Sequence, residues 1–399
     1  MKIIIHRGAD EIGGSCIELI RENGEAILLD FGMPLNNDAE AVVPATVDLD
    51  RIKAVVASHS HLDHVGLSEK LPESVPVWLG EGAERIMREA AVWIKNSVVL
   101  KNAATYQPYK PFETAGFTVT PYPVDHSAFD SYAFLVEADG KRVFYTGDFR
   151  VSGYAAYKTK KLLKNPPKDI DALLIEGTTI GSDTHENLPE ESLTDKIVDA
   201  VNADTGLVFL AASSQNIDRL VTAIKAANRL KRKLVIDNYA YAMLKATNIK
   251  SITGALSRVR FFIHQQQRIK IVQDGLFESM PPKSKRIYET ELLANQEKYI
   301  ILYRYHHIGF FKDAELRNPL LIYSMWREYY NRDEKLKSFV ADKKMNMAHI
   351  HTSGHADVKT LQKFANAIRA KMVIPVHTEK PQLYMDLFSN VLITKHLEI

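Results

Sequence analysis

Apolar residues recur at strand spacing through roughly the first 176 positions and at alternating strand and helix spacing afterwards. The runs "KIIIH", "CIELI", "EAILLDF", "IKAVVAS", "FTVTPY", "YAFLVEA" and "RVFYTGD" each predict a strand, and the turn "ADGKR" predicts a hairpin between the last two. From Thr178 to about Met345 the texture changes. There "GLVFLAASSQNIDRLVTAIKAANRLKRKLVIDNY" predicts strand, helix, strand, because Ile217, Leu220, Val221 and Ile224 share one helical face. The stretch "MAHIHTSGHADVKTLQKFANAIRAKMVIPVHTEKP" repeats the plan, with Val358, Leu361, Phe364, Ala365 and Ile368 at helical spacing. It is expected to return to the first sheet. Two changes of texture in one chain predict a domain inserted into another.

Composition adds limits. The 399 residues, 46% hydrophobic and 25% charged, suit one large or two medium globular domains. No uncharged apolar stretch has the length of a membrane span, and "MKIIIHRGADEIGG" reads as strand and turn rather than signal peptide, so a cytoplasmic protein without membrane contact is expected. One cysteine, Cys16, excludes an internal disulfide and is expected to pack in the core. A net charge of +2 neither requires nor excludes a polyanionic partner. The basic runs "LKRKL" and "PPKSKR" read as solvated surface and the tryptophans as core. His6, His185, His264, His306, His307 and His396 carry no functional expectation.

The other histidines sit at telling places. Six sites fall at the ends of predicted strands: the run "HSHLDH", His126, Asp148, Glu176, His355 and His377. Loops converge at the C-terminal ends of strands in layered α/β proteins. His59, His61, Asp63 and His64 in one tight loop would point several ligating atoms at one place, and imidazole with carboxylate suits zinc, manganese or iron. With His126, Asp148 and His377 the candidates number seven, more than one ion accepts, which suits two ions bridged by Asp148. Taken singly, each is as well explained as a capped or hydrogen-bonded loop residue. Six such residues at six strand ends favour metal.

These motifs carry a resemblance. "SHSHLDHVG", "DHS" and "YTGDFR" resemble the metal-binding motifs of the metallo-β-lactamase superfamily. "LLIEGTT", "HTSGHAD" and "IPVHTEKP" resemble the acidic motif and the second and third histidine motifs of its β-CASP nucleases, the branch of ribonuclease J and the pre-mRNA 3′-end endonuclease. "AASSQNIDRL", "VIDNYAYAM" and "YSMWREYY" are similar, less specifically, to parts of the β-CASP insert. The resemblance implies an α/β fold, a four-layer αβ/βα metallo-β-lactamase sandwich from residues 1–177 and 346–399, with an α/β β-CASP domain at 178–345. It implies one ion on His59, His61 and His126, a second on Asp63, His64 and His377, and Asp148 shared. Zinc is the expected metal, with manganese as the alternative. Thr378 departs from the glycine usual after the third-motif histidine, and the extra C-terminal domain of ribonuclease J is expected to be absent.

The chemistry implied is RNA phosphodiester hydrolysis by a hydroxide that two metals activate, working as a 5′–3′ exonuclease with endonuclease activity as a second mode. Asp63 and Asp148 serve it as ligands. His355 lies outside the seven-ligand set and is the expected proton donor to the leaving ribose oxygen, with Glu176 orienting it. The competing reading has Glu176 and His355 merely capping neighbouring segments. Ser213, Ser214 and Asn216, where a strand passes into a helix, and His351 and Ser353, beside another helix start, read equally as N-caps or as an anion site. Ser213, Ser214, His351 and Ser353 are expected to hold a 5′-terminal monophosphate. RNA is the expected partner, with a homodimer among the expected assemblies. His377 favours RNA, because DNA-directed β-CASP enzymes tend to carry valine there. A DNA-directed nuclease and a small-molecule thioesterase, lactonase or β-lactamase remain the alternatives, the latter leaving the insert and His355 without use. A catalytically dead scaffold would show gaps in the ligand set.

Overall fold

The computed structural model describes residues 1–35, 42–95, 97–182 and 187–399 and divides them into two compact units, Met1–Asn187 with Gly354–Ile399, and Leu188–Ser353. His185 lies outside the described residues.

The first unit is built on two sheets. One runs, in spatial order, His396–Glu398, Lys2–Arg7, Cys16–Ile20, Ala26–Phe31, Ile52–Val56, Val77–Gly80 and Ala103–Tyr106. The other runs Met372–Val376, Ala172–Glu176, Lys141–Tyr145, Ser131–Ala138, Phe117–Val124 and Phe112–Thr114. Ile5, Ile17, Leu29 and Val56 of the first pack with Val119, Phe134, Tyr145, Leu174 and Ile374 of the second in one buried cluster, so the sheets lie face to face. Helix Glu81–Trp93 covers the outside of the first sheet through Ala83 and Met87, and helix Val358–Ile368 covers the second through Leu361, Phe364 and Ile368. This is the four-layer αβ/βα sandwich expected. Strands such as Ala26–Phe31, buried along their whole length, read as continuous apolar runs because both of their faces are covered.

Local chemistry sets the connections. Asp139 (φ 52°) and Gly140 (φ 69°) both adopt positive φ between Ser131–Ala138 and Lys141–Tyr145, the two-residue turn that "ADGKR" predicts. Ala26–Phe31 and Ile52–Val56 are parallel in one sheet; Lys141–Tyr145, Ala172–Glu176 and Met372–Val376 are parallel in the other. Their C-terminal ends therefore gather at the edge of each sheet where the predicted ligands follow.

The second unit holds a six-stranded sheet in the order Arg260–Phe261, Lys233–Ile236, Tyr299–Leu302, Val208–Ala211, Leu320–Tyr323 and Asn346–His349, with every pairing parallel. Helix Ile217–Arg229 follows Val208–Ala211, and its Ile217, Leu220 and Ile224 are buried.

Two expectations need correction. Residues 346–349 do not return to the first sheet; they pair with Leu320–Tyr323 of the insert, and only Met372–Val376 returns, beside Ala172–Glu176. The insert accordingly spans 188–353 rather than 178–345. Its start moves because Thr178 Oγ1 lies 2.8 Å from His377 Nδ1 and Thr179 Oγ1 donates to Ala356 O (2.6 Å), which keep 178–179 with the first unit.

Candidate metal centre

Strand Ile52–Val56 leads into Ser58–His64, and the single helical turn Leu62–Val65 aims Asp63 and His64 inward. Backbone contacts hold the turn: Ser15 N donates to Asp63 O and Met33 N to Leu62 O (both 2.9 Å). Gly32 is required beside it, since an added Cβ would collide with the Asp63 carbonyl. His126 follows Phe117–Val124, Asp148 follows Lys141–Tyr145, Glu176 ends Ala172–Glu176, and His377 follows Met372–Val376.

The seven predicted ligands come together in two neighbouring groups, each with its ligand atoms mutually within 4.8 Å: His59, His61 and His126, and Asp63, His64, Asp148 and His377. A third group of the same kind joins Asp148 and His377 to Glu176 and His355. His59 Nε2 lies 3.1 Å and His126 Nε2 3.3 Å from His61 Nδ1. In the second group His64 Nε2 is 3.1 Å from Asp148 Oδ2, and His377 Nε2 is 3.2 Å from Asp63 Oδ2. Asp148 Oδ2 is also 3.9 Å from His59 Nε2 and 4.0 Å from His126 Nε2, so this carboxylate stands between the groups.

The far side of each imidazole fixes which nitrogen faces inward. His126 Nδ1 donates to the Gly354 carbonyl (2.6 Å), leaving its Nε2 lone pair toward the cluster. His64 Nδ1 donates to Asp30 Oδ2 (2.7 Å), leaving Nε2 inward. Thr178 Oγ1 lies 2.8 Å from His377 Nδ1 and Ser58 Oγ 3.0 Å from His59 Nδ1. Asp30, Thr178 and the Gly354 carbonyl were not among the predicted site residues. Asp30 shared the signal that exposed Asp148 and Glu176, an acidic residue closing the apolar run "EAILLDF".

Burial and neighbouring charge set the protonation. Burial, reinforced by adjacent imidazoles, holds His59 well below the usual histidine range; burial also holds His126 well below it and lowers His61. Neutral imidazole is the form that can bind a metal. Burial alone would lower His64, but the carboxylates of Asp148, Asp30 and Asp63 outweigh it and raise His64 well above. Burial would raise Asp63 and Asp148, yet the surrounding imidazoles, His64 for Asp63 and His377 for Asp148 foremost, hold both below the usual carboxylate range.

A divalent cation fits these residues. Asp148 Oδ1 is buried without a hydrogen-bond partner, and imidazole nitrogens and carboxylate oxygens converge with their ligand atoms mutually within 4.8 Å.

His355 stands at the margin. Its Nδ1 lies 3.0 Å from Glu176 Oε2 and 3.7 Å from Asp148 Oδ2, and its ring is one-fifth exposed. Glu176 is held in turn by Phe149 N, which donates to Oε1 (2.8 Å). Burial would lower His355, but Glu176 and Asp148 outweigh it and raise it to about 9.

The predicted phosphate residues all lie in the second unit. The Ser213 hydroxyl accepts from Gln215 N (3.2 Å), and the buried Ser214 hydroxyl is engaged by Arg304, which also donates to Asp237 (3.0 Å). Asn216 caps helix Ile217–Arg229 by accepting from Arg219 N (3.0 Å), as the N-cap reading expects. His351 Nδ1 faces Arg219 Nη1 at 3.5 Å, and burial together with that guanidinium pushes it down to about 3. Ser353 is buried. Ser213 and Ser214 follow strand Val208–Ala211 while His351 and Ser353 follow Asn346–His349, two strands away in the sheet.

Comparison with known proteins covers both ends of this arrangement. Residues 26–237 match the family "Beta-lactamase superfamily domain", and residues 340–385 match the "Zn-dependent metallo-hydrolase RNA specificity domain". Ribonuclease J of Mycoplasma pneumoniae is 23% identical over 95% of this chain and 68% of its own length. A probable RNase, MJ4, of Methanocaldococcus jannaschii is 24% identical over 69% of this chain and 70% of its own. The crystal structure of a protein of unknown function from Enterococcus faecalis V583 superposes with a TM-score of 0.80 at 18% identity, covering 100% of this chain and 99% of that one, and shows the shared fold. No helix among the described residues is long and apolar enough to cross a membrane. With a family match over more than half the chain, a four-layer sandwich and a histidine–aspartate cluster at its strand ends, the chain belongs to the beta-lactamase superfamily.

Proposed function

We propose that this protein is a metal-dependent ribonuclease that hydrolyses RNA phosphodiester bonds. The observation that carries the reading is the His355–Glu176 pair, 3.0 Å apart and beside the seven-residue cluster. Phosphodiester cleavage expels a ribose alkoxide that needs a proton, and a protonated imidazole beside the cluster can supply it. The RNA specificity match over 340–385, which contains His355 and His377, and the ribonuclease relatives support it.

His59, His61 and His126 would hold one divalent cation, Asp63, His64 and His377 a second, with Asp148 shared; zinc suits this nitrogen-rich set best and manganese second. Bound cations of this kind lower the pKa of water and neutralise charge on the phosphoryl group under attack. The chain's own residues do the rest. His355, raised to about 9, carries its proton at neutral pH and can deliver it to the leaving ribose oxygen. Glu176, pinned by Phe149 N, aligns that ring and stabilises its charged form. Asp30, Ser58, Thr178 and the Gly354 carbonyl hold the inward nitrogens in place.

Action from a 5′ end, with internal cleavage as a second mode, is the proposed direction. In the insert, His351, pushed down to about 3, is neutral beside Arg219 and, with Ser213, Ser214 and Ser353, offers polar groups suited to a phosphate.

Digestion of one labelled RNA and its DNA counterpart by the purified, metal-loaded protein tests the proposal. RNA should be cleaved, faster with a 5′-monophosphate than with a 5′-triphosphate, and chelation should abolish it. Cleavage of DNA at the same rate, or of neither polymer alongside rapid thioester or lactone hydrolysis, would overturn it.

A further inference from the structure

Residues 245–288 of the insert contain nine Lys or Arg and two Asp or Glu, a net charge of +7. The whole chain carries +2, so the other 355 residues carry −5. The structure draws much of this charge to one edge of the insert's sheet. The two-residue strand Arg260–Phe261 is the terminal strand, and the chain returns along its outside, where Phe261 bridges Arg286 and Ile287 N donates to Phe261 O (2.9 Å). Lys285 Nζ donates to Ser257 O (2.6 Å), while Arg260 donates to the carbonyls of Lys285 (3.1 Å) and Arg286 (2.9 Å). The Arg268 guanidinium lies 5.9 Å over the Tyr288 ring. Four carboxylates stand among these cations: Glu291 takes Arg260, Asp274 takes Lys270, and Glu278 and Glu289 follow Phe277 and Tyr288 in the chain, while no ion pair engages Lys250, Arg258 or Lys283 among the described residues.

Large rings stand in water among these cations. Phe277 is 59% and Tyr288 53% exposed. Cations interspersed with rings match single-stranded nucleic acid, whose phosphates meet ammonium and guanidinium groups while its bases stack on aromatic faces. A bilayer would favour one continuous apolar face instead.

We propose that this edge binds a single-stranded stretch of the RNA substrate without regard to sequence. The proposal rests on the ribonuclease reading and adds to it a length requirement: short RNAs forgo the contact and long ones use it.

Two variants of the full-length protein test it: Lys250→Gln/Arg258→Gln/Lys283→Gln/Lys285→Gln, and Phe277→Ala/Tyr288→Ala. All six side chains lie at or near the surface, and circular dichroism melts check folding. Binding of a fluorescent 30-nucleotide RNA would be followed by anisotropy in chelator, from low to moderate salt. The charge variant should lower the slope of log affinity against log salt by roughly 2 to 3, at about 0.7 per phosphate contact. The aromatic variant should weaken binding about tenfold at unchanged slope. With metal restored, kcat/KM on the 30-mer should fall about tenfold for each variant, against less than twofold on a trinucleotide. Wild-type slope and affinity in both variants would overturn the proposal. So would loss of binding to phosphatidylserine vesicles with RNA binding intact, which would assign the edge to membranes. A wild-type protein that binds RNA through this edge but cleaves none overturns the ribonuclease reading and leaves the edge assignment standing.

Discussion

Replacing Asp30 by asparagine should weaken both the fold and the metal site, although Asp30 is not among the groups that would touch a metal. Its buried carboxylate accepts four hydrogen bonds: Ser58 N to Oδ1 (2.6 Å), and Ser58 Oγ (2.8 Å), Tyr145 Oη (2.6 Å) and His64 Nδ1 (2.7 Å) to Oδ2. An asparagine keeps one acceptor oxygen. If that oxygen takes the three donors at the Oδ2 position, its NH2 faces the Ser58 N–H, and a buried donor loses its partner at about 2 kcal/mol. The other three bonds lose their charge assistance at about 1 kcal/mol each, and incomplete additivity reduces the total to about 4 kcal/mol. For a unit of this size that is about 10 °C in Tm. His64 loses the partner that fixes its ring, so metal affinity should fall by about 10- to 100-fold. Differential scanning fluorimetry of the metal-free variant and a competition titration with a zinc chelator measure the two effects. A variant that melts within 2 °C of the parent would refute the energetic reasoning, and one that binds zinc within threefold would refute the claim that Asp30 fixes the His64 ring.

Three further outcomes follow from the same geometry. His355→Ala should slow single-turnover RNA cleavage by about a hundredfold or more while leaving metal content nearly unchanged by elemental analysis; a wild-type rate would remove His355 as the proton donor. Asp148→Ala should lose metal and activity together, because Asp148 stands between both ligand groups, and a variant that keeps two ions per chain would refute the shared position. Zinc binding at neutral pH should release at least one proton: His64, raised well above the usual range, must shed its proton to become a ligand, whereas His59 and His126 are already neutral. Affinity should therefore weaken as pH falls and more imidazoles become charged. Calorimetry in two buffers of different ionisation enthalpy counts the protons, and a count of zero would sink the assignment.

How much of this was legible in the sequence depends on what each residue needed. The seven ligand positions were readable because each closes or follows an apolar strand run, and short strands with parallel neighbours deliver their ends to one edge whatever the details of packing. Asp30 carried the same mark, an acidic residue closing an apolar run, and was not among the expected site residues. Thr178 and the Gly354 carbonyl had no local mark: they meet His377 and His126 across 199 and 228 residues of chain. A few elements of the fold went unread for similar reasons, although its class was expected correctly. Strand Val77–Gly80 has four residues and strand Asn346–His349, "NMAH", has no buried residue, so neither makes a recognisable run. The helix Glu81–Trp93 was overlooked although Ala83, Ile86, Met87 and Ala90 line its buried face.

Two of the residues that build the centre occupy the left-handed region, Asp30 at φ 60° and His377 at φ 51°. For side-chain-bearing residues that conformation costs about 1 kcal/mol or more each. Both positions are tied: His377 N donates to Gly8 O (2.6 Å), and Asp30 holds its four donors. Beside them Asp148 Oδ1 is buried without a hydrogen-bond partner, which costs about 1–3 kcal/mol, while the charged His64 faces Asp148 Oδ2 at 3.1 Å. Strain and unmet hydrogen bonding thus accumulate at one point of the sandwich, against a scaffold that elsewhere pairs its backbone in two sheets. A cation that accepts those lone pairs would relieve the second cost without altering the first. The backbone positions of the ligands are therefore tied by the fold, and the stabilisation a bound ion supplies measures how much of the unmet hydrogen bonding it offsets.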